Sequence, residues 1–121
     1  MSRILIVDDE EIIRNLLYEF LTEYGLEADL ASDGDEAIER INKQDYKIVV
    51  TDIKMPNVSG IEVLKAAKLK NPEIAVIVIT GYSSMENEKE CLKYGVSAYL
   101  TKPFPLSKFR EIIDKTMLKQ R

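Results

Sequence analysis

An α/β fold, with five strands and five helices in strict alternation and a parallel sheet covered by helices on both faces, is predicted by the order of apolar segments. Two observations carry that prediction. Short apolar runs recur between longer stretches whose apolar residues repeat at helical period. The runs at Arg3 to Val7, Lys47 to Thr51 and Ala75 to Thr80 are continuous and rich in β-branched residues, as strands buried on both faces should be.

The first strand, "RILIV", leads into a helix whose Ile12, Ile13, Leu16, Leu17, Phe20, Leu21 and Tyr24 read as one apolar stripe facing the sheet, with Gly25 as its stop. The second strand, "EADLA" from Glu27 to Ala31, is weaker and is expected to flank the centre, and a second helix separates it from the third strand, "KIVVT". Ser59 with Glu62 reads as a capping box opening the third helix, and Pro72 follows its end. After the fourth strand, "AVIVIT", Ser83 with Glu86 reads as the box opening the fourth helix, which Gly95 closes. The charged run Glu86 to Glu90 reads as that helix's solvated face. "SAYLT" from Ser97 to Thr101 is a second weak, flanking strand, and the last helix turns Phe109, Ile112, Ile113, Thr116 and Met117 inward.

A chain of 121 residues that is 45% hydrophobic supports one core and one domain, spanning 1–121. No apolar run approaches the roughly 20 residues needed to cross a bilayer, so a soluble, cytoplasmic protein without membrane contact is expected. The single cysteine, Cys91, has no partner for an internal disulfide and reads as a small apolar helix residue. A net charge of −4 and a pI near 5.0 argue against direct nucleic-acid binding by this domain. The chain contains no histidine, which removes the commonest general base and zinc ligand and any phosphohistidine of its own. Its chemistry must use carboxylates, hydroxyls and lysine.

Sites in such folds lie at the carboxyl ends of the strands. There the sequence places Asp8 and Asp9 after the first strand, Asp52 after the third, Thr80 at the end of the fourth, and Lys102 with Pro103 after the fifth. Carboxylates crowded at one edge repel by roughly 4 kcal/mol per pair at about 4 Å and an effective dielectric of about 20. They must protonate or recruit a cation. Oxygen donors without histidine or paired cysteines favour Mg²⁺, which shares its coordination shell readily with phosphate. In that setting Asp52 can act as a carboxylate nucleophile toward phosphorus, Asp8 and Asp9 can hold the metal directly or through water, and Lys102 can stabilise charge on the transferred group. The Thr80 hydroxyl can donate to a phosphoryl oxygen.

These residues, in this order and over essentially the whole chain, resemble the receiver domain of bacterial two-component response regulators. The motifs are "LIVDDE", "VVTDIKMPNVSGIEVL", "VIVITGYS" and "YLTKPF". The resemblance implies a flavodoxin-like three-layer sandwich, (βα)5, with strand order 2-1-3-4-5. It implies that Asp52 accepts a phosphoryl group from the phosphohistidine of a histidine kinase or phosphotransfer protein. Asp9, Asp52 and the backbone carbonyl of Lys54 would bind Mg²⁺, with Mn²⁺ able to substitute, and Asp8 would act on it mainly through water. Thr80 and Tyr99 match the family's switch pair, which remodels the face formed by the fourth helix, fifth strand and fifth helix toward an effector or a second copy of the chain. Lys102 would pair with the phosphoryl group, a cis bond would precede Pro103, and Gly60 would permit the tight start of the third helix. Lys54 and Tyr82 occupy positions that tune phosphate lifetime, and their bulk is expected to lengthen it. Such a domain is a switch, not a turnover enzyme, capable only of self-phosphorylation and slow autodephosphorylation.

Singly, each of these residues has an ordinary explanation: strand-end charges for Asp8 and Asp9, a strand hydroxyl for Thr80, a half-buried aromatic for Tyr99, a solvated cation for Lys102. Their joint placement does not. A hydrolase with an aspartyl-phosphate intermediate would need an acid two positions after Asp52, where Lys54 stands. A flavin carrier would need a phosphate-binding loop after the first strand, where "DDEE" would repel the phosphate. The output pathway is open between a stand-alone receiver and one cut from a larger transcription regulator.

Overall fold

A computed structural model describes residues 3–81 and 83–120. The elements run β1 (Arg3–Val7), α1 (Glu11–Glu23), β2 (Glu27–Ala31), α2 (Gly34–Lys43), β3 (Ile48–Thr51), α3 (Gly60–Lys70), β4 (Ala75–Thr80), α4 (Met85–Lys93), β5 (Ala98–Thr101) and α5 (Leu106–Lys119). All neighbours pair in parallel, in the order β2-β1-β3-β4-β5. The two weak segments are indeed the sheet's edges, and β3 and β5 each begin one residue later than the apolar runs suggested.

Alternation along the central strands splits the core in two. Leu5, Val7, Val49, Val76 and Val78 face α2, α3 and α4, packing with Ala37, Ile41, Leu64 and Cys91. Ile4, Ile6, Ile48, Val50, Ile77 and Ile79 face α1 and α5, packing with Leu17, Leu21, Phe109 and Ile113. Both faces of these strands are thus buried, which is why their sequences show no polar alternation.

Helix boundaries follow local chemistry. Gly25 and Gly95 have φ of 85° and 87°, the left-handed conformation that ends α1 and α4, and the next amides return to Leu21 O at 2.9 Å and Cys91 O at 3.0 Å. Ser59 caps α3 as expected, accepting from the Glu62 amide at 3.4 Å. At α4 the cap is Ser84 and not Ser83: the helix begins at Met85, and the residue before it, extended at φ −147°, aims its hydroxyl at the Asn87 amide at 3.0 Å. The α1 stripe also needs correction. Leu17 and Leu21 are buried and Ile13 and Phe20 pack against the core, but Ile12, Leu16 and Tyr24 are exposed. Seven apolar residues span more of the helix circumference than one sheet face can cover.

The last helix buries Phe109, Ile113 and Thr116 with Ile112 and Met117 half-buried, as its spacing predicted. By contrast α4 buries only Cys91 among its described residues, and leaves Met85 and Leu92 in solvent. In its charged run, Glu86, Glu88, Lys89 and Glu90 are exposed and Asn87 is half-buried. Below α4, Tyr94 packs on the core with the Lys65 ammonium 4.4 Å from its ring centroid.

Phe109 is fully buried and touches the rings of Phe20 and Phe104 at centroid separations of 5.6 and 6.3 Å. Phe109→Ala is expected to cost about 3–5 kcal/mol in a denaturant melt, by lost burial and the cavity left behind. Leu92→Ala, at a site 65% exposed, should fall within about 0.5 kcal/mol of the parent.

Candidate functional site

The ends of the central strands hold their polar residues by backbone pairing that continues one step past the ladders. The Asp8 amide donates to Ala31 O at 3.2 Å, the Asp52 amide to Val7 O at 3.1 Å, and the Lys102 amide to Thr80 O at 2.9 Å. Asp8, Asp52 and Thr80 are buried there. Two further contacts fix the first of these turns, Arg14 Nη1 to Asp8 O at 2.8 Å and the Glu10 amide to Asp8 Oδ1 at 2.9 Å.

Lys102 ties the strands together. Its Nζ donates to Asp52 Oδ2 at 2.9 Å, Asp8 Oδ2 at 3.1 Å and Glu10 Oε1 at 3.0 Å. The other oxygen of Asp52, Oδ1, accepts from the Ile53 amide at 2.6 Å. The Lys102-Pro103 peptide is cis, as expected. Across the site Gly60 packs against the backbone of Asp52 so closely that a Cβ would stand 1.7 Å from the Asp52 carbonyl oxygen, which explains the glycine.

Asp8, Glu10 and Asp52 can each present a carboxylate oxygen within 4.8 Å of the others, a donor set that suits a hard divalent cation. Asp9, expected as a ligand, is exposed and lies outside this group. Glu10 takes part although only its neighbours were assigned roles from the sequence. Periodicity gave no signal for it: the chain bends at Asp9, with the Glu10 amide on Asp8 Oδ1 at 2.9 Å, and only then is Glu10 itself extended at φ −90°, ψ 112°. Lys54 is exposed beyond Ile53, and Tyr82 lies outside the described residues. Thr80 is fully buried at the end of β4, next to Lys102 through the backbone bond above. Tyr99 is half-buried on β5, and its hydroxyl is buried without a hydrogen-bond partner among the described residues.

Burial pushes the Asp8 carboxyl above its ordinary value, more than its bonds to the Glu10 amide and Lys102 pull it down. Burial alone would lower Lys102, but its bonds to Asp52, Glu10 and Asp8 prevail and raise it, so the ammonium stays charged through neutral and mildly alkaline pH. Because the folded Asp8 pKa lies above the unfolded one, its stabilising contribution is complete below the ordinary 3.8 and is lost as pH rises through the raised value. Asp8→Asn is therefore expected to abolish that loss and to be more stable than the parent at pH 7, measured by denaturant melts across the acid and neutral range.

Residues 4–114 match the family described as "Response regulator receiver domain". Sporulation initiation phosphotransferase F of Bacillus subtilis (strain 168) is 34% identical over 114 residues, covering 94% of this chain and 92% of that protein. The response regulator receiver domain protein (CheY-like) from Methanospirillum hungatei JF-1 superposes with a TM-score of 0.96 at 32% identity, covering 99% and 96% of the two chains. The response regulator protein TrrA from Thermotoga maritima, solved in complex with Mg(2+)-BeF, gives a TM-score of 0.86 at 36% identity, covering 96% and 99%. Other relatives are much longer: the chain spans 26% of one transcriptional regulatory protein that it matches and 29% of another. With the 2-1-3-4-5 sheet, the acidic cluster and the lysine that bridges it, these likenesses make the chain a member of the response regulator receiver domain family.

Proposed function

We propose that this receiver is a phospho-acceptor switch in which Asp52 takes a phosphoryl group from a histidine kinase or phosphotransfer protein. The observation that carries the reading is the Asp52 carboxylate, 4% exposed at the end of β3, with one oxygen on the Ile53 amide and the other on Lys102. A carboxylate so held is oriented for attack on phosphorus: the new P–O bond forms as the P–N bond to the donor imidazole breaks, and the imidazole leaves with a proton. Acyl phosphates serve as donors in the same way, with a P–O bond breaking and the carboxylate leaving.

Mg²⁺, or Mn²⁺ in its place, supplies charge compensation for the transferred group when bound. Asp52 and the Lys54 carbonyl are the expected ligands, with Asp8 acting through water; Asp9 is the ligand that has to turn in from its exposed position. The oxygen-only donor set supports this choice of metal, as does the TrrA structure, whose described ligand is Mg(2+)-BeF. Lys102 offers its ammonium to the phosphoryl oxygens, and the Thr80 hydroxyl provides a second donor.

Thr80 and Tyr99 carry the change outward. The Tyr99 hydroxyl, buried without a partner among the described residues, and the shallow anchoring of α4 support a two-state surface formed by α4, β5 and α5. That surface meets an effector or a second copy of the chain. The lengths of the relatives support both a stand-alone receiver and one joined to a transcription-regulating remainder.

Incubation with acetyl phosphate and Mg²⁺ should add one phosphoryl group to the intact mass of the parent and none to Asp52→Asn, and chelating the metal first should prevent it. An unmodified parent that also fails to bind beryllofluoride would sink the reading. The bulk of Lys54 and Tyr82 slows attack by water on the acyl phosphate, so Lys54→Ala with Tyr82→Ala should lose phosphate about tenfold faster, followed by the decay of the adduct mass. Equal lifetimes would remove that role.

A further inference from the structure

Glu10 occupies the N-cap of α1, where a side chain ordinarily accepts from an amide two or three residues on. Asp33, Ser59 and Ser84 do so at the heads of α2, α3 and α4, and Glu10 does not. Its Oε1 reaches Lys102 Nζ at 3.0 Å instead. The three carboxylates that share Lys102 also differ in exposure: the side chains of Asp8 and Asp52 are 3% and 5% exposed, that of Glu10 is 61%. A helix-capping position has thus given its acceptor to an ammonium at the mouth of the site, a departure from local helix chemistry of the kind found where function overrides stability.

We propose that Glu10 is a positioning residue that holds Lys102 while Asp52 is unphosphorylated and yields it to the incoming phosphoryl group; this rests on the phospho-acceptor reading above. Releasing Asp8 or Asp52 from Lys102 would leave a buried charge without its partner, which is strongly unfavourable. Releasing Glu10 returns an exposed carboxylate to water at little cost. As the group arrives, Lys102 exchanges the Glu10 oxygen for a phosphoryl oxygen while still bonded to Asp8 and Asp52, and after transfer the charge it faces on Asp52 resides on the phosphoryl oxygens. Glu10 is the displaceable partner, so it sets the ease with which Lys102 engages the donor.

The test compares the parent with Glu10→Gln, which removes the charge, and Glu10→Asp, which keeps the charge one methylene short of Lys102. Each is reacted with acetyl phosphate at saturating Mg²⁺, and Mg²⁺ affinity is measured separately by calorimetry without a phosphodonor. Both variants are expected to form the adduct about two- to fivefold faster than the parent, the scale of one exposed ion pair. The Mg²⁺ affinity of Glu10→Asp should stay within about twofold of the parent's, because its charge is retained. Glu10→Ser, which supplies an ordinary cap, should raise the melting temperature, react at the faster rate and stand in for either variant that fails to fold.

Parental kinetics for Glu10→Asp with acceleration only in Glu10→Gln would assign the effect to charge in general and overturn the tether. Slower phosphorylation of both variants, or a loss of Mg²⁺ affinity in Glu10→Asp, would make Glu10 a metal ligand and equally overturn it. Variants indistinguishable from a parent that does take up phosphate would overturn this role alone, whereas a parent that takes up none would overturn the phospho-acceptor reading and this role with it.

Discussion

The bonds from Lys102 to Asp8, Asp52 and Glu10 are the interaction on which the rest of the site depends. Two carboxylates buried at adjacent strand ends would not stay ionised beside each other without a cation between them, and Lys102 supplies one from the far edge of the sheet. Because its amide is pinned to Thr80 O, the ammonium is placed by β4 as much as by β5. The cluster is still short of positive charge, since three carboxylates share a single ammonium. That shortfall suits the site to a divalent cation, while the raised Asp8 carboxyl reflects its burial first and the neighbouring Asp52 charge last.

Around this edge the molecule is unevenly stiff. The central strands are sealed on both faces, and α5 inserts a fully buried Phe109 between Phe20 and Phe104. Beside β5, α4 offers the core little more than Cys91, and the Tyr99 hydroxyl is buried without a partner among the described residues. On the proposed phospho-acceptor reading, a signal that begins as charge at Asp52 meets a sealed sheet on one side and a shallowly anchored helix on the other. Change is channelled toward the element that costs least to move.

The end of the sheet opposite the carboxylates has a different character. Concavities there are lined by Lys47, Lys68, Lys115 and Lys119, and Lys68 spends its ammonium on the carbonyl oxygens of Pro72 and Ile74 at 3.3 and 2.6 Å. Those bonds close the C-terminal turn of α3 and the entry to β4. Basic residues stand in the last turns of α2, α3, α4 and α5, where they complement the helix dipoles, although Glu73 and Asp114 share these concavities with them.

By itself the sequence determined the alternation of elements, the buried strands, the stops at Gly25 and Gly95, and the polar residue following each central strand, because all of these depend on local periodicity and local backbone chemistry. The family motifs extended that to the strand order. Only the tertiary structure decided which carboxylates meet: Asp8 and Glu10 reach Lys102 while Asp9 is exposed outside the cluster, an outcome set by the bend ahead of α1 and by a lysine more than ninety residues distant. It also decided which apolar residues of α1 the sheet could cover, leaving Ile12 and Leu16 outside, and that α4 starts at Met85 with Ser84 as its cap. Periodicity tells which residues share a face, whereas the width of the neighbouring surface and the reach of distant side chains determine which of them are used.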